Sequence, residues 1–211
     1  MVQKLSITHR TPKSRAGGID TPGLQLFGYG DLGWLPLPAD AVRVGASVRA
    51  QDSGDAAFLE TLYASVRWEE LAPTGWTDSQ KRLFLRQQFE LQTRQYAAGY
   101  PRGCFAVIEC NGEPAGRICL NATTGDIRII DISLSPAHRG VGIGSVVLGA
   151  ILAAAGALGK TASLSVVLEN PARRLYQRLG FRDDGPPNGP YQPMRWRPES
   201  APAGPGARSN C

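Results

Sequence analysis

One stretch, residues 127–158, restricts what this chain can fold into more than any other. A β-branched run passes through a turn with a glycine at every second position and continues directly into a helical pattern. Ile127, Ile129, Ile130, Ile132 and Leu134, bounded by Gly125 and Pro136, predict a strand. Apolar residues on both of its faces predict a central place in the sheet. Gly140, Gly142 and Gly144 leave three amides shielded by nothing larger than hydrogen, so the main chain can close on a bulky anion. Val146, Val147, Ala150, Ile151, Ala154 and Leu158 then recur at helical spacing up to Gly159, a residue suited to the C′ position. The turn therefore stands at a helix N-terminus, where unpaired N–H groups and the macrodipole favour phosphate.

Spacing separates three phosphate-binding patterns. A dinucleotide fingerprint needs G-x-G-x-x-G, but the sixth position is Ser145 counted from Gly140 and Val147 counted from Gly142. A Walker loop is hinted at by Gly159-Lys160-Thr161, yet Ala154 occupies the place of its first glycine, and this lysine ends a helix where a Walker lysine starts one. Arg139-Gly140-Val141-Gly142-Ile143-Gly144 remains, and it resembles the R/Q-x-x-G-x-G/A pyrophosphate loop of the GNAT-type N-acetyltransferase superfamily. Further on, Asn170-Pro171-Ala172-Arg173-Arg174-Leu175-Tyr176-Gln177-Arg178-Leu179-Gly180-Phe181 is similar to that superfamily's second signature, N-x-x-A-x-x-L-Y-x-x-x-G-F, in Asn, Ala, Tyr, Gly and Phe. Elementary rules read the same residues as a short helix. Asn170 is its N-cap, Pro171 its first position, Leu175 and Leu179 one face, and Gly180 its stop.

The resemblance covers residues 41 to 197 and implies an α/β (α+β) fold. Its mixed, mostly antiparallel central sheet would have roughly six to seven strands and about four flanking helices, with the central strands splayed around acetyl-CoA. It also implies direct transfer of an acetyl group from acetyl-CoA to an amine. Cofactor contacts are then expected at Ser133, Leu134, Arg139, Gly140, Val141, Gly142, Ile143, Gly144, Ser145 and Asn170. The thioester carbonyl gains charge in the transition state and needs a fixed donor, which the resemblance puts at a backbone N–H near Leu134. The departing thiolate wants a proton. A thiol pKa is about 8.5 and a tyrosine's about 10, so Tyr176, which matches the family's position for that role, is the expected general acid. An accepting amine arrives protonated, with a pKa near 10.4 if it is lysine-like, and needs a base. Asp131 comes first, then Glu169, then Glu69 or Glu70. Trp68, Glu69, Glu70 and Trp76 lie between two predicted helices, the region that borders the acceptor in this superfamily.

Composition narrows the setting. The 211 residues are 42% hydrophobic, which predicts one domain with a sizeable core, 40–197, between a Pro/Gly-rich extension at 1–39 and a disordered tail at 198–211. The longest apolar run, 146–158, is too short to span a bilayer and is interrupted by Gly149 and Gly156. Residues 1–18 hold Lys4, Arg10, Lys13 and Arg15 with neither an acid nor an apolar h-region. That excludes an ordinary secretory signal and leaves a disordered basic arm or a transit peptide. The net charge of +5 comes with no basic stripe interleaved with aromatics, so nucleic acid is not expected. Cysteines 104, 110, 119 and 211 form no C-x-x-C and have no histidine nearby, so neither zinc nor any other metal, nor a disulfide framework, is expected. Reduced cysteines point to a cytoplasmic setting. The expected partner is a small-molecule or peptide amine, with a homodimer left open, and a CoA-binding module without catalysis is the rival class.

Along the rest of the chain, alternation predicts a first strand at 41–49. Asp52 is positioned to cap a helix with Leu59, Leu62, Tyr63 and Val66 on one side. Thr77-Asp78-Ser79-Gln80 is a capping-box start for a helix ended by Gly99, whose apolar side holds Phe84, Leu85, Phe89, Leu91 and Tyr96. Asn111-Gly112 predicts the turn of a hairpin between strands near 104–110 and 114–121. A further strand is expected at 164–168, and two short strands around an irregular loop after Phe181.

Overall fold

The computed structural model describes Leu37 and residues 39–199. Most of the expected N-terminal extension and of the C-terminal tail, with Cys211, lies outside the described residues. Seven strands form one sheet: β1 (Ala46–Ala50), β2 (Cys104–Cys110), β3 (Glu113–Ala122), β4 (Asp126–Leu134), β5 (Thr161–Val167), β6 (Arg182–Asp183) and β7 (Tyr191–Trp196), in the order β1-β2-β3-β4-β5-β7-β6. Every neighbouring pair is antiparallel except β4 with β5. The helices among the described residues are α1 (Ala39–Arg43), α2 (Ala56–Arg67), α3 (Asp78–Gly99), α4 (Ile143–Ala157) and α5 (Arg173–Arg178).

Helices α2 and α3 follow residues whose side chains satisfy exposed N–H groups. Asp52 accepts from Gly54 N–H at 2.7 Å and donates its own N–H to Asp55, making a capping box on the 3₁₀ turn that leads into α2. Thr77 and Gln80 form the same device before α3. Asn111 (φ 53°) and Gly112 (φ 83°) both take left-handed backbone, as a two-residue turn between twisted strands requires.

The sheet core runs along β4. Ile127, Ile129, Ile132 and Leu134 are buried in one cluster with Ile143, Val147 and Ile151 of α4, each such side chain worth about 1.5–3 kcal/mol when fully buried. Two irregularities in β4 matter for function. It pairs with β5 only at Asp126–Arg128 against Thr161–Ser163, after which the two strands part while each keeps its outer neighbour. Between Cys119↔Asp131 and Leu120↔Ile129 the register also shifts, so Ile130 is an extra residue on β4. The bulge turns Ile130 and Asp131 to the same face. Ile130 packs with Tyr96, Tyr100 and Cys119, while Ile129 and Ile132 stay in the main core.

Some expectations need correction. Residues 41–49 are not one strand: Ala39–Arg43 is a helical turn, and Gly45, at φ 61°, turns the chain into β1. The strand expected at 164–168 begins at Thr161, because its first residues form the parallel pairing with β4. Helix α5 starts at Arg173, after a turn in which Asn170 Oδ1 accepts from Ala172 N–H at 2.9 Å. Leu91 does not join the apolar side of α3 but is 47% exposed.

Candidate active site

The glycine turn is a main-chain structure. Gly140 (φ 78°) and Gly142 (φ 96°) are both left-handed, and a Cβ at Gly140 would meet open space. Gly142 is the N-cap of α4, and the helix's first bond runs from Val146 N–H to the Gly142 carbonyl at 3.1 Å. The N–H groups of Ile143, Gly144 and Ser145 therefore precede the helix's own ladder and point out of its positive end. Val141 is exposed at the tip of the turn, and Ile143 is buried beneath it. Arg139 folds back, donating Nε to the Leu134 carbonyl at 2.8 Å, while its Nη2 is buried without a partner among the described residues. Desolvation lowers its pKa from the ordinary arginine value, so this guanidinium is held where an anion would relieve it. His138 is half-buried, its Nδ1 2.7 Å from Ser135 Oγ.

The turn opens onto the gap between β4 and β5. Ser135 N–H is spent on the Ala115 carbonyl of β3, so strand alternation faces the main-chain groups of Leu134 the other way, toward β5. From beyond β5, α5 presents Tyr176, which is fully buried with its ring edge-on to Phe181 at 5.9 Å. The Tyr176 hydroxyl has no hydrogen-bond partner among the described residues. Its pKa is raised, first by desolvation and then by the negative charge of Asp131. Two buried polar atoms without partners thus stand one on each side of the gap, Arg139 Nη2 and Tyr176 Oη. A ligand with an anionic end and an acceptor atom further in would satisfy both, and acetyl-CoA fits that description.

On the other side of β4 lies a cluster of side chains. Asp131 is 2% exposed and paired with Arg117, whose Nε donates to Oδ2 at 3.0 Å and whose Nη2 donates to the same oxygen. Ser133 Oγ donates to Asp131 Oδ1 at 3.2 Å. Arg117 Nη2 also donates to Gln92 Oε1 at 2.8 Å, and its guanidinium lies 5.8 Å from the Tyr96 ring centre. Beside this group is a cavity of about 10 Å³, room for about one water, bordered by Tyr63, Arg67 and Gln92 as well as Asp131 and Ser133. The same three residues border an open groove of about 170 Å³ between α2 and α3.

The residues singled out from sequence therefore fall into separate places. The glycine turn, Leu134 and Tyr176 surround the gap between β4 and β5, with Asn170 buried in the turn that leads to α5. Asp131 and Ser133 belong to the cluster on the α2–α3 side. Glu169, Glu69 and Glu70 are exposed, with Glu70 paired to Arg67 at 3.3 Å. Trp68 lies under Lys81 and Arg82, and Trp76 packs edge-on against Phe84 at 5.2 Å, so both serve the 3₁₀ connection Trp68–Thr74 and the start of α3. Arg67, Gln92, Tyr96 and Arg117 were missed. Two left a trace in the sequence: Arg117 is a lone charge amid Ala115-Gly116 and Ile118-Cys119-Leu120, and Gln92 takes a place in the apolar series Leu85, Phe89, Gln92, Tyr96. Among the described residues no group of three or more His, Cys, Asp or Glu could hold a metal ion, and no helix is long and apolar enough to cross a membrane.

Comparison with known proteins agrees with this geometry. The family model described as "Acetyltransferase (GNAT) family" matches residues 63–181, from the second half of α2 through the glycine turn to Phe181. No curated protein matches the chain. Among solved structures, PaiA N-acetyltransferase from Thermoplasma acidophilum in complex with coenzyme A is 15% identical and superposes with a TM-score of 0.53, covering 72% of this chain and 98% of that one. An acetyltransferase of Salmonella typhimurium that modifies the N-terminal serine of 50S ribosomal subunit protein L7/L12 is 20% identical, with a TM-score of 0.52 over 76% of this chain and 95% of that one. An acetyltransferase from Streptococcus agalactiae is 14% identical, with a TM-score of 0.51 over 72% and 98%. At these identities the likeness speaks for the fold.

Proposed function

The chain belongs to the acetyltransferase (GNAT) family and is an acetyl-CoA-dependent N-acetyltransferase, and on that premise we propose that its acceptor is the primary amine of a small molecule, reached from the α2–α3 groove. The observation that carries this reading is the unpartnered Tyr176 hydroxyl, buried beside the gap between β4 and β5 with Asp131 close enough for its charge to be felt. A hydroxyl buried without an acceptor costs about 1–3 kcal/mol, and the departing thiolate of a thiol-releasing enzyme is such an acceptor.

Acetyl-CoA, a substrate of the reaction, supplies an acetyl group activated as a thioester. The amine nitrogen bonds to the carbonyl carbon, the carbon–sulfur bond breaks, the sulfur leaves with that electron pair and gains one proton, and the new amide has lost one. In this reading the N–H groups of Ile143, Gly144 and Ser145 and the guanidinium of Arg139 hold the pyrophosphate, with the main chain of Leu134 and the turn at Asn170 flanking the rest of the donor. The Leu134 N–H faces the gap and serves as the donor to the carbonyl oxygen. Tyr176 donates to the departing sulfur. Burial raises the tyrosine's pKa, so the phenol keeps the proton that a general acid must carry.

Asp131 is buried on the α2–α3 side of β4, where Arg117 and Ser133 both donate to its carboxylate. Its part is to position Arg117 and the floor of the acceptor side, while the amine's proton leaves through the water-sized cavity that Asp131 borders. The size of the groove favours a small acceptor, since pockets for drug-sized ligands run to about 300–1,000 Å³. The test is release of thiol from acetyl-CoA with a panel of small amines. Release that depends on the amine supports the reading, while measurable CoA binding with no release from any amine makes the protein a binding module.

A further inference from the structure

We propose that the α2–α3 groove recognises an amine that also carries a carboxylate, an acceptor of free amino-acid type whose carboxylate is held by Arg67 and the Tyr96 hydroxyl. This rests on the acetyl-transfer reading above and adds the chemistry of the acceptor.

Three observations converge on it. The first is continuity. Tyr63, Arg67 and Gln92 border both the open groove of about 170 Å³ and the small cavity at Asp131, so a molecule entering from solvent passes Arg67 before it reaches the floor. The second is charge. Two guanidinium groups and one carboxylate line these spaces, and Arg117 and Asp131 neutralise each other at the floor, so the surplus is the single positive charge of Arg67. That charge is only weakly answered. Arg67 Nη1 lies 3.3 Å from Glu70, whose side chain is 39% exposed, and pairs of that kind contribute little in water. The Arg67 side chain is 18% exposed and stacks over the Tyr63 ring at 5.0 Å, so its fork is held in place for a guest carboxylate. The third is an orphan donor. Tyr96 is 5% exposed, borders the groove, and its hydroxyl has no partner among the described residues.

One surplus positive charge, one unpartnered hydroxyl donor and the side-chain amides of Gln88 and Gln95 match a single carboxylate. With the carboxylate there, the amino group points inward to the Arg117–Asp131 floor. A room of about 170 Å³ suits an amino acid and excludes a peptide chain from the inner end.

The experiment compares amino acids with their decarboxylated amines, for example phenylalanine with phenethylamine and lysine with cadaverine, by thiol release from acetyl-CoA. Acetyl-CoA binding is measured in parallel by calorimetry. The wild type is expected to favour the carboxylated member of its best pair by tenfold or more in kcat/KM, the loss expected for one charge-assisted contact. Arg67→Gln should cut that preference by about tenfold, and Tyr96→Phe by about threefold. Each preference is a ratio of two rates on one preparation, so the fraction of folded variant cancels. Equal or faster turnover of the decarboxylated amines overturns the carboxylate assignment and leaves acetyl transfer standing, as does a preference that survives in Arg67→Gln. No thiol release from either class, with acetyl-CoA bound, overturns the acetyl-transfer reading and this inference together.

Discussion

The two sides of β4 meet their ligands by opposite means. Toward α4 and β5 the protein offers main chain: amides of a glycine turn, the first N–H groups of a helix and a strand edge that has lost its neighbour. Toward α2 and α3 it offers side chains, from Arg67, Gln92, Tyr96, Arg117 and Asp131 on four different elements. In the reading proposed above, main chain binds what every donor molecule shares, a pyrophosphate and an extended arm. Side chains distinguish one acceptor from another. The difference predicts that damage on the donor side removes binding with little cost to the fold, while damage on the acceptor side costs stability, because that side is held together by a buried ion pair.

Gly142→Glu should have the largest effect. At φ 96° a side chain is strained, the new Cβ comes within 3.6 Å of Val44, and a carboxylate would sit where the phosphates are attracted. Coenzyme A affinity should fall by about a thousandfold or more in calorimetry, with the helical circular dichroism unchanged. Tight binding in this variant would remove the glycine turn from the donor site. Arg117→Met tests the other side. It leaves Asp131 2% exposed and without its cation, which should cost about 3–5 kcal/mol in denaturant unfolding. Arg117→Met/Asp131→Leu should recover most of that loss, since removing both charges also removes their desolvation. A single variant that costs under about 1 kcal/mol would mean the floor does not depend on the pair.

This division also explains what the sequence discloses. A main-chain anion site needs left-handed backbone, and left-handed backbone favours glycine, so Gly140 and Gly142 announce the anion-binding turn within three residues. Helix boundaries are as legible, because caps are local: Thr77 with Gln80 and Asp52 with Asp55 stand three residues apart. The acceptor side has no local rule. Arg67 and Arg117 are far apart in sequence, and what joins them is the packing of α2 and α3 over β3 and β4. The bulge at Ile130 is as hard to foresee, since strict alternation puts Ile130 and Asp131 on opposite faces, and one unpaired residue brings them together. In the Trp68–Trp76 segment the aromatics already have neighbours, Lys81 and Arg82 over Trp68 and Phe84 against Trp76, and none of these contacts is local enough to read from spacing.

Tyr176→Phe is the smallest change and separates the two plans most finely. The substitution removes one oxygen that has no partner among the described residues, so the folded state loses no bond seen there and sheds a desolvation cost. Unfolding free energy should stay level or rise by about 1 kcal/mol. Coenzyme A affinity, set by the main chain of the turn, should change little. Turnover should fall by about tenfold or more, the loss expected for a general acid. The pH profile sharpens the assignment. Burial raises the Tyr176 pKa, so its proton stays bound as pH rises through about 10, where a free phenol would lose it. The turnover of the wild type should therefore show no falling limb near that pH from this group. A phenylalanine variant that is as fast as the wild type, or markedly less stable, would make Tyr176 a packing residue and leave the thiolate to be protonated by water.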